Sequence, residues 1–152
     1  CFNKSGEKLI VIGNGSEKNK LERKAKKNIE FKGFLPESEI EFYIENSKAL
    51  IFPGEEDFGM IPLEVMSYGI PVVAFKKGGA LETVVENKKN VKESSGIFFN
   101  EQNIKSLEAA LLFFKTIEND FNTEWIRDHA KKFEESNFFN QFSVEVNKII
   151  ES

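Results

Sequence analysis

Short runs rich in apolar and β-branched residues recur along this chain, each closed by glycine or proline and separated from the next by a helical stretch. That alternation narrows the folds open to it. Leu9-Ile10-Val11-Ile12 ends at Gly13-Asn14-Gly15, Ile29 to Lys32 at Gly33, and Ala49 to Phe52 at Pro53-Gly54. Pro71 to Phe75 is followed by Lys77-Gly78-Gly79, and Gly96 to Phe99 makes a fifth run. A continuous apolar run such as Leu9–Ile12 fits a strand buried on both faces, as in parallel sheets. The intervening segments read as helices. Ser16 to Lys27 is charged, with Leu21 and Ala25 at i,i+4. Pro36 to Asn46 offers Ser38 as a cap and Ile40, Phe42, Tyr43 and Ile44 as an apolar face. Ile61 to Tyr68 stops at Gly69, Ala80 to Glu86 is short, and Asn103 to Glu151 is helical in two or three segments. Strand and helix in alternation predict an α/β domain, a parallel sheet with helices on both faces. Ligands of such sheets bind at the carboxyl ends of the strands. The four turns that follow strands should therefore cluster on one edge. The polar run Glu86 to Ser95 reads as a surface loop.

Length and composition set the remaining bounds. The 152 residues suffice for one domain, which at this size buries roughly 70% of its unfolded surface. Apolar content of 40% with 30% charged residues is that of an ordinary globular chain. A net charge of −4 leaves no general basic footprint, which argues against a nucleic-acid partner. The single cysteine, Cys1, excludes an internal disulfide and a cysteine-rich zinc site. No apolar run reaches the roughly 18 residues of a membrane span, and Lys4, Glu7 and Lys8 interrupt any signal-peptide pattern. A cytoplasmic location is expected, and without a starting Met the chain reads as a piece of a longer protein. Sixteen phenylalanines stand against one tryptophan and two tyrosines. They read as core, with some facing another domain; Phe138, Phe139 and Phe142 are the candidates for such a surface near the C-terminus.

The chemistry concentrates between Glu56 and Gly69. Glu56 and Glu64 stand eight positions apart, with Phe58-Gly59 suited to a loop and Pro62 to a first helical turn. The amides of Phe58, Gly59 and Met60 then lie at or before a helix N-terminus, where unpaired N–H groups and the positive dipole end attract an anion. Gly59 removes a side chain that would block close approach. Glu64 falls early in the helix, where its carboxylate could accept hydrogen bonds from a vicinal diol such as ribose. By spacing alone the plainer reading holds, because helix N-termini favour acids.

The residues around the pair change that balance. The stretch Phe52 to Ala74, with Glu56-x7-Glu64, Phe58-Gly59, Gly69 and Pro71-Val72 in place, closely resembles the signature of family 4 (group 1) retaining glycosyltransferases. Leu9 to Gly15, Phe31-Lys32-Gly33-Phe34-Leu35 and Gly78-Gly79-Ala80-Leu81-Glu82 resemble the family's other landmarks in the same order. The likeness covers about residues 8 to 115. It implies a GT-B fold, in which two Rossmann-like domains flank the active site. This chain, residues 1–152, would be the C-terminal, donor-binding domain. Carried over residue by residue, the resemblance assigns the donor ribose to Glu64, the sugar hydroxyls near the reacting carbon to Glu56, and sugar and diphosphate to the amides of Phe58, Gly59 and Met60. It assigns the base to the backbone around Phe34 and Leu35, and close approach of the phosphates to Gly13 and Gly15. Glu56 would position the sugar and stabilise charge rather than attack. No metal and no other cofactor are expected. The likeness is strongest to bacterial mannosyltransferases of polysaccharide assembly, which favours GDP-mannose as donor and leaves UDP-sugars open. The implied partners are a nucleotide sugar, the protein's own N-terminal domain, and a glycan or lipid-linked acceptor. Peripheral association of the full-length protein with the inner face of the membrane is compatible with such an acceptor. A non-catalytic nucleotide-sugar module, an epimerase and a phosphorylase are the alternatives.

Other residues carry weaker signals. His129 reads as a helix-surface or core-edge residue rather than a catalytic one. Lys76 and Lys77, Lys88-Lys89, and Lys24 with Lys26 and Lys27 read as solvated. The sequence departs from the family at its start: the first strand of the domain, and the Arg/Lys pair that grips the diphosphate after it, find no match. In a doubly wound sheet the first strand is central. Its loss should open the sheet between the strands at Leu9 and Ala49, leave the chain alone unable to transfer sugar, and weaken its grip on nucleotide.

Overall fold

The computed structural model describes residues 1–134 together with Val146. The chain runs α1 (Phe2–Ser5), β1 (Leu9–Ile12), α2 (Lys18–Glu22), β2 (Ile29–Gly33), α3 (Glu37–Glu45), β3 (Leu50–Phe52), α4 (Met60–Ser67), β4 (Val72–Phe75), α5 (Ala80–Thr83), a 3-10 turn (Val91–Glu93), β5 (Gly96–Phe99), α6 (Ile104–Ile117) and α7 (Thr123–Lys131). Phe138, Phe139 and Phe142, and the rest of the expected helical tail, lie outside the described residues.

All strand pairs are parallel. β3, β4 and β5 form one sheet in that order, with Val72 opposite Leu50 on one side and Gly96 on the other. β4 has a partner on each edge and helices over each face, so all four of its residues are buried. Alternation along the strand divides them between two cores. Val72 and Ala74 pack with Met66 of α4, Ala80 and Val84, and Ile126 and Ala130 of α7. Val73 and Phe75 pack on the other side with Ile97, Phe99, and Ala110 and Phe114 of α6. Each fully buried aliphatic or aromatic side chain contributes about 1.5–3 kcal/mol. Side-chain caps fix where the last two helices begin: Asn103 accepts from the Ser106 amide, and Asn122 from those of Glu124 and Trp125.

β1 and β2 form a separate two-stranded sheet. Among the described residues no strand pairs β1 with β3, so the two sheets stand apart there. A cavity of about 960 Å³ occupies the opening, lined by Leu9, Ile10 and Ile12 of β1 and by Leu50 and Ile51 of β3. This corrects the reading of β1 as buried on both faces: Leu9, Ile10 and Val11 are half-buried and Ile12 is exposed, because among the described residues β2 is the one strand that pairs with β1. Across the opening, Lys4 pairs with Glu108 at 3.0 Å, Lys115 pairs with Glu7, and the Tyr68 hydroxyl donates to Glu41 at 3.0 Å. That last bond holds the Tyr68 phenol above its usual pKa.

Several helices differ from their sequence-based expectation. α2 is five residues, not twelve, and Leu21 is half exposed. Beyond Glu22 the chain carries Arg23, Lys24, Lys26 and Lys27 with no apolar face to bury. α3 starts at Glu37 after an extended Pro36, and Ser38 caps nothing, because it already lies inside the first turn; Phe42 of its expected apolar face is exposed. α5 stops at Thr83 because Val84 turns extended and Val85 bonds Ser95 instead, its amide donating to Oγ and its carbonyl accepting from N. The one-turn α1, ended by a left-handed Gly6, was not expected.

Candidate functional site

β3 delivers the chain into the loop Pro53 to Gly59, and α4 follows at once. Gly59 is the N-cap of α4, at φ 77 and ψ 64, and no side chain caps the helix. The left-handed turn calls for glycine: a Cβ there would meet nothing closer than Pro62 Cγ at 3.7 Å, so backbone conformation rather than crowding excludes other residues. Pro62 sits buried in the first turn, where its missing N–H costs nothing. The result is an uncapped helix end flanked by Glu56 before it and Glu64 one turn inside, both exposed. Neither carboxylate has a hydrogen-bond or ion-pair partner among the described residues. Of the neighbouring acids, Glu55 is the one engaged, pairing with Lys77 at 3.0 Å. Phe58 is 45% and Met60 64% exposed, beside a buried Gly59.

The turn after β4 holds this loop. Gly79 donates its amide to the Glu56 carbonyl at 2.7 Å. A Cβ on Gly78 would lie 2.5 Å from the Glu56 carbonyl oxygen, and one on Gly79 would lie 2.4 Å from the Phe58 backbone. Two consecutive glycines therefore allow the loops after β3 and β4 to touch. Lys76 remains exposed.

A second cluster forms where β1 and β2 end. Gly13, at φ 104, donates its amide to the Gly33 carbonyl at 2.7 Å. Gly15 stands in open space. Phe34 is 82% exposed just past β2, and Leu35 is half-buried. Within each cluster the expected residues come together. Between the clusters no hydrogen bond or ion pair runs among the described residues, as follows from the opened sheet.

One basic residue was missed in the sequence. Lys18 Nζ lies 2.9 Å from Asn14 Oδ1 and 3.8 Å from Glu22, and it stands 3.2 Å from where a Cβ on Gly33 would be. It therefore places a cation over the ends of β1 and β2. Lys18 opens α2, and the loop carrying Asn14 folds back onto it, a contact that no local pattern in the sequence announces. His129, expected at a core edge or helix surface, is buried, with Nε2 2.8 Å from the Thr83 carbonyl. No group of three or more His, Cys, Asp or Glu among the described residues is arranged to hold a metal ion, and no described helix is long and apolar enough to cross a membrane.

Comparison with known proteins agrees with this arrangement. The α-1,3/1,6-mannosyltransferase ALG2 of Candida glabrata is 37% identical over 95 residues, which is 60% of this chain and 20% of that protein. The sucrose-phosphate synthase of Thermosynechococcus elongatus superposes with a TM-score of 0.73 at 17% identity, over 95% of this chain and 39% of that one. Anabaena HepE, solved with UDP-glucose, superposes with a TM-score of 0.66 at 22% identity, over 93% and 40%. The chain thus spans about one fifth of the curated mannosyltransferase and two fifths of the solved structures. The sequence model described as "Glycosyl transferases group 1" matches residues 3–133. With the strand order, the glycine turns and the Glu56–Glu64 frame all accounted for, the chain belongs to the group 1 glycosyl transferases and carries their Rossmann-like, GT-B-type fold.

Proposed function

We propose that this chain is the nucleotide-sugar-binding part of a retaining hexosyltransferase, that the full-length enzyme transfers mannose, and that GDP-mannose is the donor. The observation that carries the reading is the uncapped N-terminus of α4, flanked by two exposed acids whose carboxylates have no partner among the described residues. Free amides and the helix dipole suit the diphosphate. Glu64 suits the ribose diol, and Glu56 the sugar hydroxyls. The backbone at Phe34 and Leu35 takes the base, and Gly13 and Gly15 give the phosphates access. The mannosyl assignment is supported by the Candida glabrata relative, whose name specifies mannosyl transfer, and the nucleotide-sugar assignment by the HepE complex with UDP-glucose. In the reaction the anomeric carbon–phosphate oxygen bond breaks and a bond to the acceptor oxygen forms. The acceptor proton leaves with the diphosphate. Amides and basic groups, Lys18 among them, carry the leaving-group charge without a metal. The acceptor, a glycan or lipid-linked sugar, would be held by the protein's other domain at the cytoplasmic side of a membrane.

A thermal-shift panel of GDP-, UDP- and ADP-sugars on the full-length protein tests this. GDP-mannose should give the largest stabilisation. Glu64→Ala should weaken it by about 1.5–3 kcal/mol, the contribution of a charged hydrogen bond. Equal shifts in wild type and Glu64→Ala, or none with any sugar nucleotide, would sink the assignment.

A further inference from the structure

The acidic loop is held from a second side by Phe133, two residues past the end of α7. His129 is the chain's only histidine. Its Nε2 lies 2.8 Å from the Thr83 carbonyl, which can only accept, so Nε2 carries the proton. One ring face stacks on Trp125, with centroids 5.3 Å apart and planes 5° from parallel. Phe133 meets the imidazole edge-on at 5.5 Å and 74°, and then meets Phe58 at 6.4 Å and 65°. Phe58 stands two residues after Glu56 and directly before the left-handed Gly59.

The contacts close into a ring. From the loop, the Glu56 carbonyl takes the Gly79 amide at 2.7 Å. Gly79 opens α5, whose last residue Thr83 is fully buried and donates Oγ1 back to the Gly79 carbonyl at 3.1 Å. The Thr83 carbonyl meets His129, His129 meets Phe133, and Phe133 returns to Phe58. The loop lies outside strand and helix, so this circuit supplies the order that a hydrogen-bond ladder would otherwise give it.

We propose that His129 and Phe133 are positioning residues for the donor-binding loop. Through the edge-on ring contact they fix Phe58, and with it the register of the Phe58 and Gly59 amides and of the Glu56 carboxylate above the donor sugar. The proposal rests on the nucleotide-sugar reading and deepens it. Neither residue touches the donor. Both act through Phe58.

The test uses the full-length protein, with donor KM, kcat and equilibrium donor binding measured well below the unfolding temperature. Phe133→Leu should raise donor KM by about three- to tenfold, the range set by an aromatic pair. Phe133→Tyr, which keeps the ring, should restore it. Phe58→Leu combined with Phe133→Leu should be no worse than Phe58→Leu alone. A Phe133→Leu protein that melts earlier but keeps donor KM and kcat, or a double variant whose losses simply add, overturns the proposal. Should Phe133→Leu not fold, His129→Gln reads the same coupling, since an amide can still reach Thr83 while the ring beneath Phe133 is gone. A raised donor KM is expected, and an unchanged one refutes. Wild-type protein that binds no sugar nucleotide would instead remove the functional reading, and this inference with it. Donor binding that is lost in Glu64→Ala but intact in Phe133→Leu would remove this inference alone.

Discussion

Gly79→Ala separates two physical effects that point in opposite directions. Gly79 has φ −60 and ψ −20, a helical conformation that alanine adopts without strain. Considered by its backbone alone, the change should stabilise the chain by about 0.4–1 kcal/mol, through lost freedom in the unfolded state. The space says otherwise. The new methyl would lie 2.4 Å from Cα, C and O of Phe58, where carbon pairs settle at about 3.5 Å or more. The loop must retreat by about 1 Å, which costs about 1–3 kcal/mol as overpacking. It also strains the 2.7 Å bond from Gly79 to the Glu56 carbonyl, a contribution of about 1 kcal/mol. The steric effect wins by about 1–3.5 kcal/mol net, and the melting temperature should fall by about 2–14 °C for a chain of this size. A loop displaced by that distance also carries Glu56 and the Phe58 amide away from the sugar, and a misplacement of about 1 Å can cost about 100-fold in rate. Calorimetric melting and donor titration of the full-length variant would read both. A Gly79→Ala protein that melts higher than wild type and keeps its donor affinity would refute the close approach of the two loops.

Further expectations follow from single contacts. Gly59→Ala has room for its methyl but not the conformation, so it should cost about 1–2 kcal/mol with little movement of neighbours, checked by denaturant titration. Gly96→Ala would place a methyl 2.1 Å from the Val72 carbonyl oxygen; it should unpair β5 from β4 and leave no cooperative unfolding transition in calorimetry. Asn122→Ala removes the acceptor for the Glu124 and Trp125 amides and should lower stability by about 1 kcal/mol, again by denaturant titration. The hydrogen bond from Lys115 holds the Glu7 carboxyl below its ordinary value of 4.5. A carboxyl lowered in the folded state stabilises above its unfolded pKa and loses that effect as pH falls through the folded one. The tie between α6 and the segment before β1 should therefore be intact at neutral pH and loosen below 4.5, with faster amide exchange in β1, and Glu7→Gln should remove that acid dependence.

The strands were legible because their signal is local. Leu9–Ile12 and Gly96–Phe99 have the expected bounds, and the other three differ by one residue, since glycine and proline punctuate each run. The Glu56–Glu64 frame was legible too, because Gly59 and Pro62 each encode a specific backbone state around a helix start. What escaped depends on contacts distant in sequence. α5 ends where Val85 finds Ser95, ten residues on, and no feature of Ala80 to Glu86 announces that partner. Phe42 lay in a helical apolar pattern, yet the helix has too little sheet beneath it to bury that position. His129 gave no sign of its link to the loop, because Thr83, Phe133 and Phe58 meet it only through the packing of α5 and α7.

The opening beside β1 also decides what a spectroscopic experiment on this chain can detect. Trp125, the only tryptophan, packs against the core built on β3, β4 and α4. An unfolding curve followed by its fluorescence therefore reports that half alone. A parallel pair of two strands is marginal in water, so β1 and β2 can separate before the tryptophan signal moves. Far-ultraviolet dichroism and tryptophan emission should then give different midpoints, and an emission-only study would credit the whole chain with the stability of its three-stranded part.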